Sequence, residues 1–149
     1  MSSCNMQDKK CELTDLMWAC LKNNTKLVKT LLTSKSNTMI NLDIQDKHSY
    51  TALMWACQFN NINIEIVKML ITPKNDKKAN LDIQDKSGQT ALMLVCKYRT
   101  IDIAKMLMAP KSGVGGADLD IQSKNGNTAL MWACQFNNIN IVSFMLETL

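Results

Sequence analysis

Thr51-Ala52-Leu53-Met54-Trp55-Ala56-Cys57 returns as Thr128-Ala129-Leu130-Met131-Trp132-Ala133-Cys134. A looser copy runs Thr90-Ala91-Leu92-Met93-Leu94-Val95-Cys96, and a fourth, near the front, reads Thr14-Asp15-Leu16-Met17-Trp18-Ala19-Cys20. The leading threonines stand 37, 39 and 38 residues apart. Self-similarity at a fixed period of this size is the signature of a stacked-repeat architecture, and it decides the fold before any local reading does. A second block precedes three of the copies: Leu42-Asp43-Ile44-Gln45-Asp46-Lys47, Leu81-Asp82-Ile83-Gln84-Asp85-Lys86 and Leu119-Asp120-Ile121-Gln122-Ser123-Lys124. Residues 51–64 and 128–141 are identical throughout, which points to an internal duplication.

Within each unit the motif threonine suits a helix N-cap. On a helical wheel Leu53, Ala56 and Cys57 share one side, while Trp55, Gln58 and Phe59 point away from it. Apolar residues at helical spacing mark a second helix in each unit: Leu27, Val28, Leu31 and Leu32 in the first, and Ile66, Val67, Met69 and Leu70 in the second. Pro73 and Pro110 stand just past second helices and cannot continue them. The second unit has two residues more than its siblings between its helices, which predicts a longer inter-helix turn or an extra half turn. The Leu-Asp-Ile-Gln block alternates too briefly for a sheet of its own and predicts a short extended finger. Residues 1–12 read as a leader, with a partial turn through Lys10–Glu12. The four units then run over about 13–45, 46–84, 85–122 and 123–149.

The 149 residues suffice for four small repeats sharing one core, and a composition 46% hydrophobic and 20% charged is not that of a disordered chain. The net charge of +4 is mild and the lysines are scattered, whereas nucleic-acid binders concentrate theirs. No apolar run approaches the roughly 20 residues that span a bilayer, and the start is polar, so the expected location is the cytoplasm. Four of the six cysteines (Cys20, Cys57, Cys96, Cys134) occupy one repeat position. Equivalent positions on stacked helices lie about 8–10 Å apart, too far for a disulfide's Cα separation of roughly 4.4–6.8 Å or for one shared zinc. They read as small buried hydrophobes. Gly113-Val114-Gly115-Gly116 follows no strand and carries no Lys-Ser/Thr pair, so it reads as a flexible loop rather than a phosphate cradle.

These residues resemble the ankyrin repeat. That family's unit opens Asp-x-x-Gly-x-Thr-Pro-Leu-His-x-Ala and carries a Gly-Ala-Asp-Val-Asn finger. Asp85-Lys86-Ser87-Gly88-Gln89-Thr90-Ala91-Leu92 matches the opening, Gly116-Ala117-Asp118-Leu119-Asp120 the finger, and Ile64-Glu65-Ile66-Val67-Lys68-Met69-Leu70 the second helix. The likeness covers roughly residues 9–149. It implies an all-α repeat solenoid of four helix–turn–helix repeats with short extended finger loops. Here alanine or aspartate replaces the family's proline, and Met17, Met54, Met93 and Met131 replace its histidine. Methionine keeps the packing volume and drops the histidine's hydrogen bonds, so a less rigid stack is expected.

The resemblance also implies where a partner sits: on the fingers and the inner face of the first helices. Carried over by position, the fingertips are Lys47, His48 and Tyr50, then Lys86, Ser87 and Gln89, then Lys124, Asn125 and Asn127. The last turns of the first helices offer Leu21 and Lys22, Gln58 and Phe59, Lys97 and Tyr98, Gln135 and Phe136. The wheel adds Trp55 and Trp132, each four residues from a phenylalanine, with Leu94 and Tyr98 in the same relation. Such an aromatic stripe opposite the core is a candidate interaction patch. The plainer alternative is that the tryptophans pack between adjacent first helices.

Catalysis finds little support. His48 is the sole histidine and reads as a solvated fingertip. The recurring aspartates fit turn and finger hydrogen bonding better than acid–base chemistry or calcium binding. No cofactor or metal is called for. The expectation is therefore a non-catalytic module for a protein partner. Nucleic-acid binding through Lys47, Lys86 and Lys124 stands as a disfavoured alternative. Weak self-association stands as another, through a last repeat that shows no polar cap and leaves Phe144, Met145 and Leu146 partly exposed.

Overall fold

Each first helix begins where a threonine can accept a backbone N–H. The computed structural model describes residues 13–34, 40–58, 62–72, 78–108 and 116–148. Thr14 Oγ1 accepts from Met17 N at 3.2 Å, opening α1 (Asp15–Leu21). Thr51 accepts from Met54 at 3.2 Å and opens α3 (Ala52–Cys57). Thr90 and Thr128 do the same at 3.4 Å for α5 (Ala91–Tyr98) and α7 (Ala129–Gln135). Each such cap is worth about 1 kcal/mol. The second helices are α2 (Thr25–Thr33), α4 (Ile64–Ile71), α6 (Ile101–Met108) and α8 (Ile139–Thr148). Asparagine caps two of them: Asn24 Oδ1 accepts from Leu27 N at 3.0 Å, and Asn63 Oδ1 from Glu65 N at 2.9 Å.

The helices stack in two layers. α1, α3, α5 and α7 pack in sequence on one side, α2, α4, α6 and α8 on the other, and each first helix packs on its own second helix. The core lies between the layers. Val28, Ile66, Val67, Leu70, Ile103, Ala104, Leu107, Ile141 and Met145 from the second helices meet Leu53, Cys57, Leu92 and Cys96 from the first. Met17, Met54 and Met93 are buried beneath the next repeat. Asn23, Arg99 and Asn137 take positive φ in the turns after α1, α5 and α7. There the chain reverses, with Asn24 N bonded back to Ala19 O and Asn138 N to Ala133 O.

The fingers are turns rather than strands, and the recurring block fastens them. Asp46 Oδ1 accepts from His48 N and Tyr50 N, and Asp85 Oδ1 from Ser87 N and Gln89 N, closing each tip. Asp43 Oδ1 accepts Asn80 N of the following repeat, and Asp82 Oδ1 accepts Asp118 N, both at 2.8 Å. Gln45 Nε2 donates to its own fingertip at Ser49 O and across to Gln84 O; Gln84 Nε2 repeats this with Gly88 O and Gln122 O. Lys86 N donates to His48 O and Lys124 N to Ser87 O, so neighbouring tips are joined backbone to backbone. The aspartates are thus structural hydrogen-bond acceptors, as their regularity suggested.

Several expectations change. Cys134 is exposed while Cys20, Cys57 and Cys96 are buried, because among the described residues no helix packs on the far side of α7. For the same reason Met131 is 50% exposed. Met145 is buried against the core, so of the three residues expected at the open end only Leu146 is well exposed and Phe144 is half-buried. Six residues separate α3 from α4, against three, two and three in the other pairs. The extra length of the second repeat falls in that interval, of which 59–61 lie outside the described residues. So do the leader with Cys4 and Cys11, Pro73, Pro110 and Gly113–Gly115.

Candidate functional site

The inner face is built from the fingertips and the last turns of the first helices. In the second repeat, Trp55 and Tyr50 meet edge to face, centroids 5.2 Å apart at 63°. The indole Nε1 of Trp55 donates to Asp46 Oδ2 at 3.0 Å, and Gln58 Nε2 lies 3.5 Å from the Tyr50 hydroxyl. Trp55 therefore packs on its own finger rather than only between helices. Burial, then the nearby carboxylate of Asp85, pushes the Tyr50 hydroxyl above its ordinary range.

A second cluster joins the third and fourth repeats. Trp132 stacks on Phe136, centroids 5.7 Å apart at 12°, as their four-residue spacing predicts. Lys97 Nζ lies 5.8 Å from the rings of both Tyr98 and Phe136, within cation–π range. Arg99 reaches over from the α5–α6 turn and donates to Phe136 O at 3.0 Å. At the other end Lys22 Nζ sits 4.5 Å from the Trp18 ring.

The expected site residues divide accordingly. Tyr50, Trp55 and Gln58 come together, as do Lys97, Tyr98, Trp132 and Phe136. Lys47, His48, Lys86 and Lys124 are exposed along the row of tips, Gln89 and Asn127 are half-buried in it, and Gln135 is exposed at the end of α7. Phe59 lies outside the described residues. The stripe is not continuous: Leu94 is 3% exposed. α5 is flanked by α3 and α7, and every residue from Ala91 to Cys96 is buried, so Leu94 belongs to the core.

A profile described as ankyrin repeats (3 copies) matches residues 1–80 and again residues 63–148. The chain belongs to the ankyrin repeat family. No match was found among curated proteins. Ankyrin repeats are generally protein–protein interaction modules and typically non-catalytic. In this ankyrin chain no group of three or more His, Cys, Asp or Glu side chains is placed to hold a metal ion, among the described residues. Nor is any described helix long and apolar enough to cross a membrane.

Two features escaped the sequence reading. Asp46 serves both its fingertip and the Trp55 indole, a pairing visible in the sequence only as an Asp and a Trp nine residues apart. A cleft of about 280 Å³ opens between Leu21, Lys22 and Asn23 of the first repeat and Trp55, Ile62 and Asn63 of the second. Ile62 and Asn63 belong to the lengthened inter-helix interval, whose only signal was the two-residue excess.

Proposed function

We propose that this protein is a non-catalytic interaction module whose inner face, fingertips and first helices together, binds a partner protein in the cytoplasm. The supporting observation is the Lys97–Tyr98–Trp132–Phe136 cluster, which brings half-buried aromatic rings and a lysine from two repeats to one place. Large aromatic side chains at such positions dominate interface energetics. The repeats that would form the face run over about 13–45, 46–84, 85–122 and 123–149 behind a leader of 1–12. The test compares immobilised protein with a Tyr98→Ala/Phe136→Ala variant as bait for cell lysate. A discrete protein kept by the original at high salt and lost by the variant supports the reading. Retention of nucleic acid alone, released by salt, would move the site to Lys47, Lys86 and Lys124 as a polyanion surface.

A second reading, self-association through the last repeat, is favoured by the exposure of Met131 (50%), Ile139 (65%) and Leu146 (60%). Light scattering would show a mass rising with concentration, and Met131→Lys would suppress that rise.

A further inference from the structure

The far end of the fourth repeat exposes a surface that the earlier repeats bury. Met17, Met54 and Met93 are at most 2% exposed, whereas Met131 is 50% exposed. Cys57 and Cys96 are buried and Cys134 is exposed. Leu130 and Val142 are half-buried where Leu53 and Val67 of the second repeat are fully buried. The finger of the fourth repeat is open in the same way. Three bonds join the second repeat to the third: Asp43 Oδ1 accepts Asn80 N, Gln45 Nε2 donates to Gln84 O, and His48 O accepts Lys86 N. Asp82, Gln84 and Ser87 O repeat them with Asp118 N, Gln122 O and Lys124 N. The fourth repeat carries the same groups at Asp120, Gln122 and Asn125 O, all exposed, and none of the three bonds is made among the described residues.

Apolar surface and open bonding groups together select the occupant. Residues 128–141, which include α7, are identical to residues 51–64, which include α3, and α5 of the third repeat packs on α3. A unit with the third repeat's finger and first helix therefore fits the end. A second copy does not supply one. Its later repeats are each seated on the repeat before, so filling one seat would empty another. Its first repeat lacks the Leu-Asp-Ile-Gln block and sets exposed Asp15 where the seated repeats have Ala52, Ala91 and Ala129, each 2% exposed. Burying that carboxylate unpaired would be costly. Two open ends meeting face to face would bring the same unanswered acceptors, Asp120 and Asn125 O. We propose that the open end seats a further ankyrin-type repeat carried by a different polypeptide, so that one stack continues across two chains. This goes beyond the inner-face reading and gives the end an occupant other than the second copy considered above.

The probe is a fluorescein-labelled peptide of residues 78–108, the unit seated on the second repeat, titrated with the full chain under reducing conditions and read by anisotropy. Saturable binding is expected. Met131→Lys should abolish it, and Asp120→Ala should weaken it about tenfold, as loss of a hydrogen bond to a charged group does, both at unchanged melting temperatures. The peptide carrying Ala91→Asp, which imitates the first repeat, should not bind. Tyr98→Ala/Phe136→Ala in the chain should leave binding unchanged. A second chain, with residues 78–108 (Cys96→Ala) joined after Leu149 by a flexible linker, supplies the unit at about millimolar effective concentration. A disulfide reagent should then no longer reach Cys134. No binding of the free peptide, binding that survives Met131→Lys or tolerates Ala91→Asp, or a reactive Cys134 in the joined chain would overturn the proposal. A mass of the full chain alone that rises with concentration, and that Met131→Lys suppresses, would overturn it too and give the end to a second copy. None of these outcomes moves the inner-face reading, which Tyr98→Ala/Phe136→Ala tests against lysate.

Discussion

Trp55 donates its indole N–H to Asp46 Oδ2 at 3.0 Å, whereas Trp132, its counterpart two repeats on, has its buried N–H without an acceptor among the described residues. The difference is one residue. Ser123 stands where Asp46 stands, and its short hydroxyl caps only Asn127 N, at 3.3 Å. A buried donor left unpaired costs roughly 1–3 kcal/mol. Ser123→Asp is therefore expected to stabilise the fold by about 1 kcal/mol, and Asp46→Ala, which strands three donors at once, to destabilise it by roughly 2 kcal/mol or more. Urea denaturation of the two variants checks both signs. A destabilised Ser123→Asp would show that the fourth finger cannot seat a carboxylate.

This pair also marks how far the sequence could be read. The stack was legible because threonine, the Leu-x-x-Ala-Cys face and the finger block recur at a fixed period, and each is a local consequence of capping or helical geometry. The candidate site was less so. The wheel placed Trp132 and Phe136 together correctly because Phe136 caps the helix that carries Trp132 and still bonds back to its carbonyl. It misplaced Leu94, whose burial depends on having a repeat on either side. It could not see Lys97 beneath the Phe136 ring, or Arg99 on Phe136 O, because those contacts cross between repeats.

The thiols should separate cleanly. Burial pushes Cys20 and Cys96 up to about 12, and pushes Cys57 strongly up as well, with Cys20 nearby adding to it. Thiolate is the reactive form, so among the four described cysteines a disulfide reagent at pH 8 should modify exposed Cys134 in native protein and the buried three only on unfolding. Peptide mapping reads the order. Fast labelling of Cys57 in folded protein would contradict its burial.

Alkaline pH should weaken the fold through the same groups. Below the unfolded thiol value of about 8.5, both states keep their protons and no stability is lost. Above it the unfolded chain releases protons that the folded chain retains, so stability falls with pH until the folded values near 12 are passed. The slope is about 1.4 kcal/mol per pH unit for each such thiol. Tyr50, also raised, acts in the same direction at higher pH. Chemical denaturation between pH 8 and 10 should show the decline. A Cys57→Ala variant, though less stable at pH 7, should show a shallower one.

Two glycines with the same backbone should respond differently to a side chain. Gly88 and Gly126 hold φ of +76° and +77° at equivalent fingertips, where Ser49 holds +63°. A Cβ on Gly126 meets nothing within 4 Å, while one on Gly88 would lie 2.7 Å from Lys124 N, in the backbone of the next finger. Gly126→Ala is expected to cost only the left-handed penalty, about 1 kcal/mol, and Gly88→Ala at least twice that, because the finger-to-finger bond must give way. Equal losses by denaturation would mean that the fingers are not locked side by side.

One peptide, two registers, supplies the sharpest test of the stack. Ile64 and Ile141 end identical stretches, yet Ile64 starts α4 at 39% exposed and Ile141 sits inside α8 at 0%. The residues beyond each isoleucine set its register. In the second repeat Ile66 and Val67 take the core positions, two residues later than in the fourth, and Asn63 becomes the cap. Its Nδ2 also donates to Thr25 Oγ1 of the first repeat at 2.8 Å, while Asn138 Nδ2 donates to Cys96 O at 3.0 Å. Ile141→Ala should therefore cost roughly 2–5 kcal/mol, as a core cavity does, and Ile64→Ala about 0.5 kcal/mol or less. Matched losses would place both isoleucines in the core and rule out the shifted register of the lengthened repeat.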